Sequence, residues 1–410
     1  MVINGDCLIE ANLGKFQQFI GNTRLIKGNI FMSKQKPFKR SRAEPFKISD
    51  APDERIRAYI QKIATGPNLS KDLTRDEAED GLTLLLEKSV SDVRAAVFLI
   101  ASRIKIETAD ETLGYWWALD RTTKKQKVKL DRLLQIADAF DGFQRIPYFG
   151  FYAIPVIAEL GLPAYGLSAL PLPPKHGITF EDMLINHYGV AANQTFEKRK
   201  ILIEQFGFGF LGTVQCHSAL EGLRHLREEV IKRTCLSTLE KMLIPLQAKE
   251  NFLATHYFHK GFETSMLEVA KHSPFDTTLI GNGMEATTLY GVHKKSNVFI
   301  QSGKEKEQEK KIDCTIIMNE PTVKQIQSAF TELKAVSSSR AQVAGLGEAA
   351  LNGGEGPAAS IIGYHAATLC HLVGQASDLQ TTYDKAIQIL NSKTCYQKLM
   401  EFLEECKRKD

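Results

Sequence analysis

Two short segments place a glycine beside charged side chains in a way that suits an anion. Asp141-Gly142 has the composition of a turn, and Arg145 follows three residues later. Lys175-His176-Gly177 precedes a helix that Thr179 can cap, and a helix N-terminus attracts negative charge. The alternatives are a surface or structural ion pair for Arg145 and a solvated loop position for Lys175.

Metal-binding patterns are weak in this sequence. His256 and His259 have helical spacing, but no third ligand follows them, so a zinc site is not expected. The seven cysteines are scattered and no pair has the C-x-x-C spacing. We therefore expect reduced thiols in a cytoplasmic protein, and neither a disulfide framework nor a zinc site.

Length and composition are those of a soluble globular protein of two domains. The chain has 410 residues, of which 43% are hydrophobic and 24% charged. The net charge of +4 is too small to indicate nucleic-acid binding by itself. No run of 18 apolar residues predicts a membrane span, and no secretory signal stands at the N-terminus.

Residues 1–50 differ from the rest and are expected to be a poorly ordered extension. The stretch from Lys34 to Arg42 is basic and contains a proline, which is typical of a solvated tail or of an arm that touches phosphates. Met32 is an alternative start to Met1.

The hydrophobic pattern predicts a helical domain at 51–128 and an α/β domain at 129–410. Capping boxes begin at Thr74 and Thr108, followed by apolar residues at helical spacing. From about residue 130, short apolar segments alternate with longer helical ones, which favours a mainly parallel central sheet. Expected strands are 133–137, 277–280, 298–300 and 315–318, and the charged segment 301–311 is expected to be a loop.

Several motifs in one order resemble anthranilate phosphoribosyltransferase and its relatives in glycosyltransferase family 3. The C-terminal third contains Leu351-Asn352-Gly353-Gly354-Glu355-Gly356-Pro357 before an alanine-rich helix, similar to the family's L-N-G-x-x-G-P segment. Gly207-Phe208-Gly209-Phe210 leads to His217, Arg227 and Arg233-Thr234, as in the family's G-x-G-F to R-T stretch. The resemblance covers roughly residues 55–405 and implies the two-domain fold predicted above.

The resemblance also implies where a ligand would bind. Asp141, Gly142 and Arg145 correspond to the family's first phosphate loop, and Lys175 and Gly177 to a second loop, so all five are expected to line one cleft. The resemblance places His217 and Arg227 on the acceptor side, where a helix-capping histidine and a salt-bridged arginine are the structural alternatives.

The resemblance further implies a homodimer through the helical domain, with Tyr115, Trp116 and Trp117 as either interface anchors or core residues.

The sequence departs from the family where the chemistry is concentrated. The G-T-G-G-D turn is replaced by Asp138-Ala139-Phe140-Asp141-Gly142, and the K-H-G-N-R segment falls on Gly166-Leu167-Ser168 without its Asn-Arg pair. Of the acidic pair that holds Mg²⁺ in the family, Glu285 remains and Ala286 replaces its neighbour. Glu285 is therefore the candidate Mg²⁺ ligand, and a second carboxylate would have to come from elsewhere in the chain.

Three functions stay open from the sequence. The first is a pentosyl transferase-like enzyme with an altered donor that transfers or binds a phosphorylated pentose or another anionic ligand. The second is a non-catalytic relative that binds nucleic acid or another polyanion, and the third is a scaffold without activity. Anthranilate phosphoribosyltransferase activity itself is not expected, because the phosphate- and metal-binding motifs are degraded together.

Overall fold

Four helices, three of them capped by a side chain at their N-termini, form the first part of the described chain. The Thr74 and Thr108 side chains each accept a hydrogen bond from a backbone N–H, and Glu77 and Glu111 complete the two capping boxes. The four helices are α1 (Pro52–Ile63), α2 (Arg75–Leu86), α3 (Asp92–Lys105) and α4 (Ala109–Thr122). The predicted helical segment is thus present.

The computed structural model describes residues 50–66, 68–292 and 294–408, which belong to one compact unit. The predicted N-terminal extension, with its basic stretch, lies outside the described residues except for Asp50. Of the described helices, none is long and apolar enough to cross a bilayer.

A seven-stranded sheet forms the centre of the remaining chain. The strands are β2 (Arg132–Ala137), β3 (Ala164–Ser168), β4 (Phe208–Gly212), β6 (Glu250–His256), β7 (Thr277–Gly281), β8 (Ser296–Ser302) and β9 (Gln308–Ile312). Their order in the sheet is β4-β3-β2-β6-β7-β8-β9, with parallel pairing from β4 to β7 and antiparallel pairing of β8 with β7 and β9. The expectation of an α/β fold with a mainly parallel sheet is confirmed.

A short parallel pair lies outside this sheet, between β1 (Gln126–Lys127) and β5 (Leu246–Gln247). The remaining helices connect and cover the strands. They are α5 (Gly150–Glu159), α6 (Phe180–Asp182, continued by a π-helical turn at Met183–His187), α7 (Phe196–Phe206), α8 (Thr213–Cys216), α9 (Ser218–Glu221), α10 (Arg224–Val230), α11 (Leu236–Leu239, continued by a 3₁₀ turn at Glu240–Met242), α12 (Phe262–His272), α13 (Cys314–Ile317), α14 (Glu320–Leu333), α15 (Arg340–Leu351), α16 (Pro357–Leu372), α17 (Leu379–Asn391) and α18 (Thr394–Lys407).

The two faces of the sheet pack into two hydrophobic cores. Successive strand residues alternate between them, so Leu133 packs with the N-terminal helices and Leu134 with the C-terminal helices. Trp116 lies in the first core, where its Nε1 donates to the Met242 carbonyl at 3.0 Å. Because α1–α4 share this core with the sheet, the boundary at 128–129 stays a prediction.

Two predicted elements at the end of the sheet are wrong. Residues 315–318 form no strand; Cys314–Ile317 is a helical turn, capped by Asp313, which accepts from the Thr315 N–H at 3.0 Å. The partner of β8 is β9, which lies in the charged segment expected to be a loop except for its last residue, Ile312. An edge strand that is mostly exposed carries charged side chains, so it lacks the apolar signal of a buried strand.

Candidate functional site

The carboxyl ends of β2, β6 and β7 meet at one edge of the sheet. The strand order reverses here, because the chain proceeds from β2 to β3 on one side and reaches β6 on the other. In α/β folds the crevice beside such a reversal is the usual ligand site. Asp138 follows β2 directly, and His256 is the last residue of β6.

The two segments predicted to bind an anion are joined by backbone hydrogen bonds at this edge of the sheet. Phe143 and Ile178 exchange backbone hydrogen bonds of 3.1 and 3.0 Å, and the Gly177 N–H donates to the Asp141 carbonyl at 2.8 Å. Gly142 has a positive φ of 77°, and a Cβ atom on it would overlap the backbone of Gly177. Asp141, Gly142, Lys175 and Gly177 therefore meet, as expected from their order in the chain.

Asp141 is buried between two cations. Arg233 donates to its carboxylate through Nε at 2.9 Å and also through a terminal nitrogen, and Lys175 Nζ lies 3.5 Å from the other oxygen. Lys175 Nζ also lies 5.1 Å from the centre of the Phe143 ring, a cation–π distance. Arg233 was noted in the sequence only as part of a family motif; the ion pair joins residues 92 positions apart, which local spacing does not indicate.

Glu285 reaches the same loop from the turn after β7. Its two carboxylate oxygens accept from the backbone N–H groups of Gln144, at 3.2 Å, and Arg145, at 3.1 Å. Lys175 Nζ lies 3.7 Å from the first of these oxygens. Arg145 thus joins the predicted cluster through its backbone, while its side chain is exposed.

A buried lysine and histidine extend this cluster below the surface. Lys241 Nζ donates to the His256 carbonyl at 2.9 Å and approaches His256 Nε2 at 3.2 Å. Burial lowers the pKa of Lys241 to about 8, with Asp138 and Asp141 among the carboxylates that oppose the shift. Burial and the nearby cations Lys241, Lys175 and Arg233 hold the pKa of His256 well below its ordinary value.

Neither member of this pair was predicted as a site residue. The available signal was Glu240-Lys241 directly before the apolar run from Met242 to Leu246, where buried charges need partners. His256 Nδ1 is buried and has no hydrogen-bond partner among the described residues.

Asp138 is a buried carboxyl at the centre of the site. It accepts from the Tyr148 hydroxyl and from the Thr288 N–H at 2.7 Å, and Thr288 Oγ1 lies 2.9 Å from His365 Nε2. Burial raises the pKa of Asp138 to about 6 against the lowering effect of these hydrogen bonds. Beside it lies a cavity of about 10 Å³, room for one water molecule, also lined by Ser168.

His217 and Arg227 are occupied by structural contacts. His217 Nδ1 accepts from the Leu220 N–H at 3.1 Å and so caps α9, while burial lowers its pKa to about 4. Arg227 donates to both oxygens of Glu240, at 2.6 and 2.9 Å, in a buried pair. The acceptor-side roles of His217 and Arg227 stay predictions.

The residues around Glu285 do not suit Mg²⁺. Both of its oxygens accept from backbone N–H groups, Lys175 is close to one of them, and Ala286 supplies no second carboxylate. In the described part of the chain, no three His, Cys, Asp or Glu side chains are grouped to hold a metal ion.

Comparison with known proteins agrees with this architecture. Residues 57–122 match the model of the glycosyl transferase family, helical bundle domain. An uncharacterized protein of Aquifex aeolicus is 28% identical over 52% of this chain and 64% of its own length. Anthranilate phosphoribosyltransferase of Persephonella marina is 27% identical over 49% of this chain and 58% of its own length. The sequence matches thus span about three fifths of these relatives.

Solved structures match over a greater length. Anthranilate phosphoribosyltransferase of Thermus thermophilus superimposes with a TM-score of 0.69 at 22% identity, covering 86% of this chain and 99% of that one. The Saccharomyces cerevisiae enzyme in complex with PRPP and Mg gives 0.68 at 17% identity, covering 86% and 97%. At these identities the likeness establishes the fold alone.

Proposed function

We propose that this chain, a divergent anthranilate phosphoribosyltransferase-like protein, binds a phosphorylated pentose at the carboxyl ends of β2, β6 and β7. The observation that carries the proposal is the convergence of Lys175, Arg233 and Lys241 at this edge, beside the paired N–H groups of Gln144 and Arg145. Cations and backbone N–H groups together recognise phosphate oxygens.

Pentosyl transfer with an altered donor is the activity that this site favours. Transfer from a phosphorylated pentose needs donors aimed at the leaving group, where negative charge develops. Lys175 and the two N–H groups can supply them. The closely packed Gly142 and Gly177 leave no glycine-rich loop for a pyrophosphate, so we expect no anthranilate phosphoribosyltransferase activity. Because Ala286 leaves Glu285 without a neighbouring carboxylate, no step of the proposal depends on Mg²⁺.

A thermal-shift titration tests the proposal. Ribose 5-phosphate at millimolar concentration, without Mg²⁺, is expected to raise the melting temperature, because a ligand of the native state stabilises it. The Lys175→Met variant should lose most of the shift. Lys249→Met is the matched control, since Lys249 is 81% exposed and lies before β6 at the opposite edge of the sheet. Absence of any shift with ribose 5-phosphate, PRPP and inorganic phosphate would overturn the proposal.

Nucleic-acid or polyanion binding is the alternative, and it rests on the basic stretch from Lys34 to Arg42. Single-stranded DNA in the same titration separates the two, because polyanion binding weakens steeply with added salt. A shift with DNA that ribose 5-phosphate does not reproduce would favour this alternative.

A homodimer through the helical domain and a cytoplasmic location complete the proposal. On α3, Val93, Val97 and Ile104 are 73%, 42% and 76% exposed and share one face of the helix. Tyr115 and Trp116, in contrast, are buried in the core.

The cytoplasmic location is supported by the six cysteines of the described region, which are free and buried.

A further inference from the structure

The loop at the end of β2 presents two successive N–H groups to one carboxylate. Glu285 binds Gln144 and Arg145 with one oxygen each, at 3.2 and 3.1 Å, across about 140 positions of the chain. In a turn, successive backbone N–H groups that point the same way can bind one anion. A carboxylate and a phosphate present oxygens of similar charge and spacing to such a surface.

Lys175 completes this surface. Its Nζ lies 3.7 Å from Glu285 Oε1 and 3.5 Å from Asp141 Oδ1, and its side chain is 19% exposed. The Gln144 side-chain amide also donates to the Lys175 carbonyl, which ties the two loops together. The donors that an incoming phosphate needs are therefore already bound to a negative group of the chain itself.

The backbone at Glu285 and Ala286 is strained. Glu285 and Ala286 have positive φ angles of 48° and 65°, a region in which residues other than glycine are uncommon. Two successive residues in this region cost free energy that the contacts of the turn must offset. This backbone strain therefore favours release of the Glu285 carboxylate when another anion binds its hydrogen-bond donors.

We propose that Glu285 is an internal ligand of the anion site and competes with the phosphate group of the ligand. This inference rests on the proposed function and adds its regulation. The phosphate displaces the carboxylate from Gln144 N, Arg145 N and Lys175 Nζ, and the turn at 285–286 relaxes. Affinity for phosphate-bearing ligands is thereby lower than the donors alone would give, and ligands with more negative charge are favoured because they compete better.

Calorimetric titration of ribose 5-phosphate, with EDTA to exclude divalent cations, tests this. Glu285→Gln keeps the size of the side chain but removes its charge, and we expect it to bind about tenfold more tightly than the wild type. Glu285→Asp keeps the charge but is too short to reach both N–H groups, so it should also bind more tightly. Glu401→Gln, at an exposed position of α18, removes one negative charge elsewhere and should leave the affinity unchanged.

The outcomes separate the two proposals. If the wild type binds and both Glu285 variants bind equally or more weakly, Glu285 helps the ligand and the competition is excluded, while the proposed function stands. Binding by the Glu285 variants alone would show that Glu285 occupies the anion donors, but it would overturn the proposal that the wild-type chain binds a phosphorylated pentose. If neither the wild type nor any folded variant binds ribose 5-phosphate, PRPP or phosphate, the proposed function fails and the competition fails with it.

Discussion

Gly142 and Gly177 pack backbone to backbone, and a Cβ atom on either one would overlap the other's loop. This contact fixes the distance between the two segments that carry Asp141 and Lys175. It also excludes bulky residues at both positions for a physical reason that is independent of any ligand. The two glycines that indicated a phosphate site in the sequence therefore have a packing role that does not depend on a ligand.

Substitution of Gly142 by alanine should destabilise the protein by about 2 kcal/mol or more. The φ of 77° is unfavourable for alanine, and the added methyl group overlaps the Gly177 backbone. Gly189→Ala is the matched control, because Gly189 has a φ of 72° with no atom within 4 Å of its added Cβ. We expect it to lose about 1 kcal/mol. Urea unfolding measures both, and equal losses would contradict the packing argument.

The buried pair of Arg227 and Glu240 should dominate the effect of substitutions at position 227. Arg227→Met leaves the Glu240 carboxylate buried without its partner, for which we expect a loss of roughly 3 kcal/mol in the free energy of unfolding. The double variant Arg227→Met with Glu240→Gln should recover most of it. Arg121→Met breaks an ion pair whose arginine is 62% exposed and should lose less than about 1 kcal/mol.

An acceptor-side role of Arg227 predicts an additional result. The double variant would then regain stability but not ligand binding. Recovery of both would assign Arg227 to structure alone.

Local sequence patterns were sufficient for most of the helices and buried strands, but not for the edge strand β9 or the helical turn at Cys314–Ile317. The capping boxes at Thr74 and Thr108 depend on residues three positions apart, and the buried strand at 133–137 is apolar except for Gln135. Because loops after parallel strands gather at one edge of the sheet, the segments of Asp141 and Lys175 could be placed together.

The contacts that define the site could not be predicted in the same way. Arg233 with Asp141 and Glu285 with Arg145 are 92 and 140 positions apart. Their formation depends on side-chain direction and on the path of turns, neither of which appears in residue spacing. The family pattern assigned Glu285 to a metal ion, whereas the structure directs its carboxylate to backbone N–H groups.

The exposed apolar face of α3 predicts self-association. Val97→Glu and Ile104→Lys each place a charge on this face, and the paired surface of a dimer would have to desolvate it. We expect the wild type to be a dimer at micromolar concentration and both variants to be monomers, as measured by light scattering after gel filtration. Ile316→Lys, at a 73% exposed position of α13, is the control and should remain dimeric. A monomeric wild type would contradict the prediction.

Asp138 should make the stability of the protein depend on pH between about 4 and 6. Its carboxyl is 4% exposed and burial raises its pKa from 3.8 to about 6, so the native state holds this proton more tightly than the unfolded chain does. Stability therefore falls as the pH rises through this interval, by on the order of 3 kcal/mol in total, and is independent of this group above it. His365, which contacts Thr288, has a pKa lowered to about 3 and stays neutral throughout.

Asp138→Asn isolates this contribution, because asparagine has no proton to release. The free energy of unfolding is measured by urea titration for both proteins at several pH values from 4 to 7, so that the other carboxylates cancel in the difference. The wild type should lose stability relative to Asp138→Asn as the pH rises from 4 to 6, and the difference should be constant from 6.5 to 7. A difference that does not change between pH 4 and 6 would show that Asp138 titrates with an ordinary pKa and that its burial is offset by the hydrogen bonds from Tyr148 and Thr288.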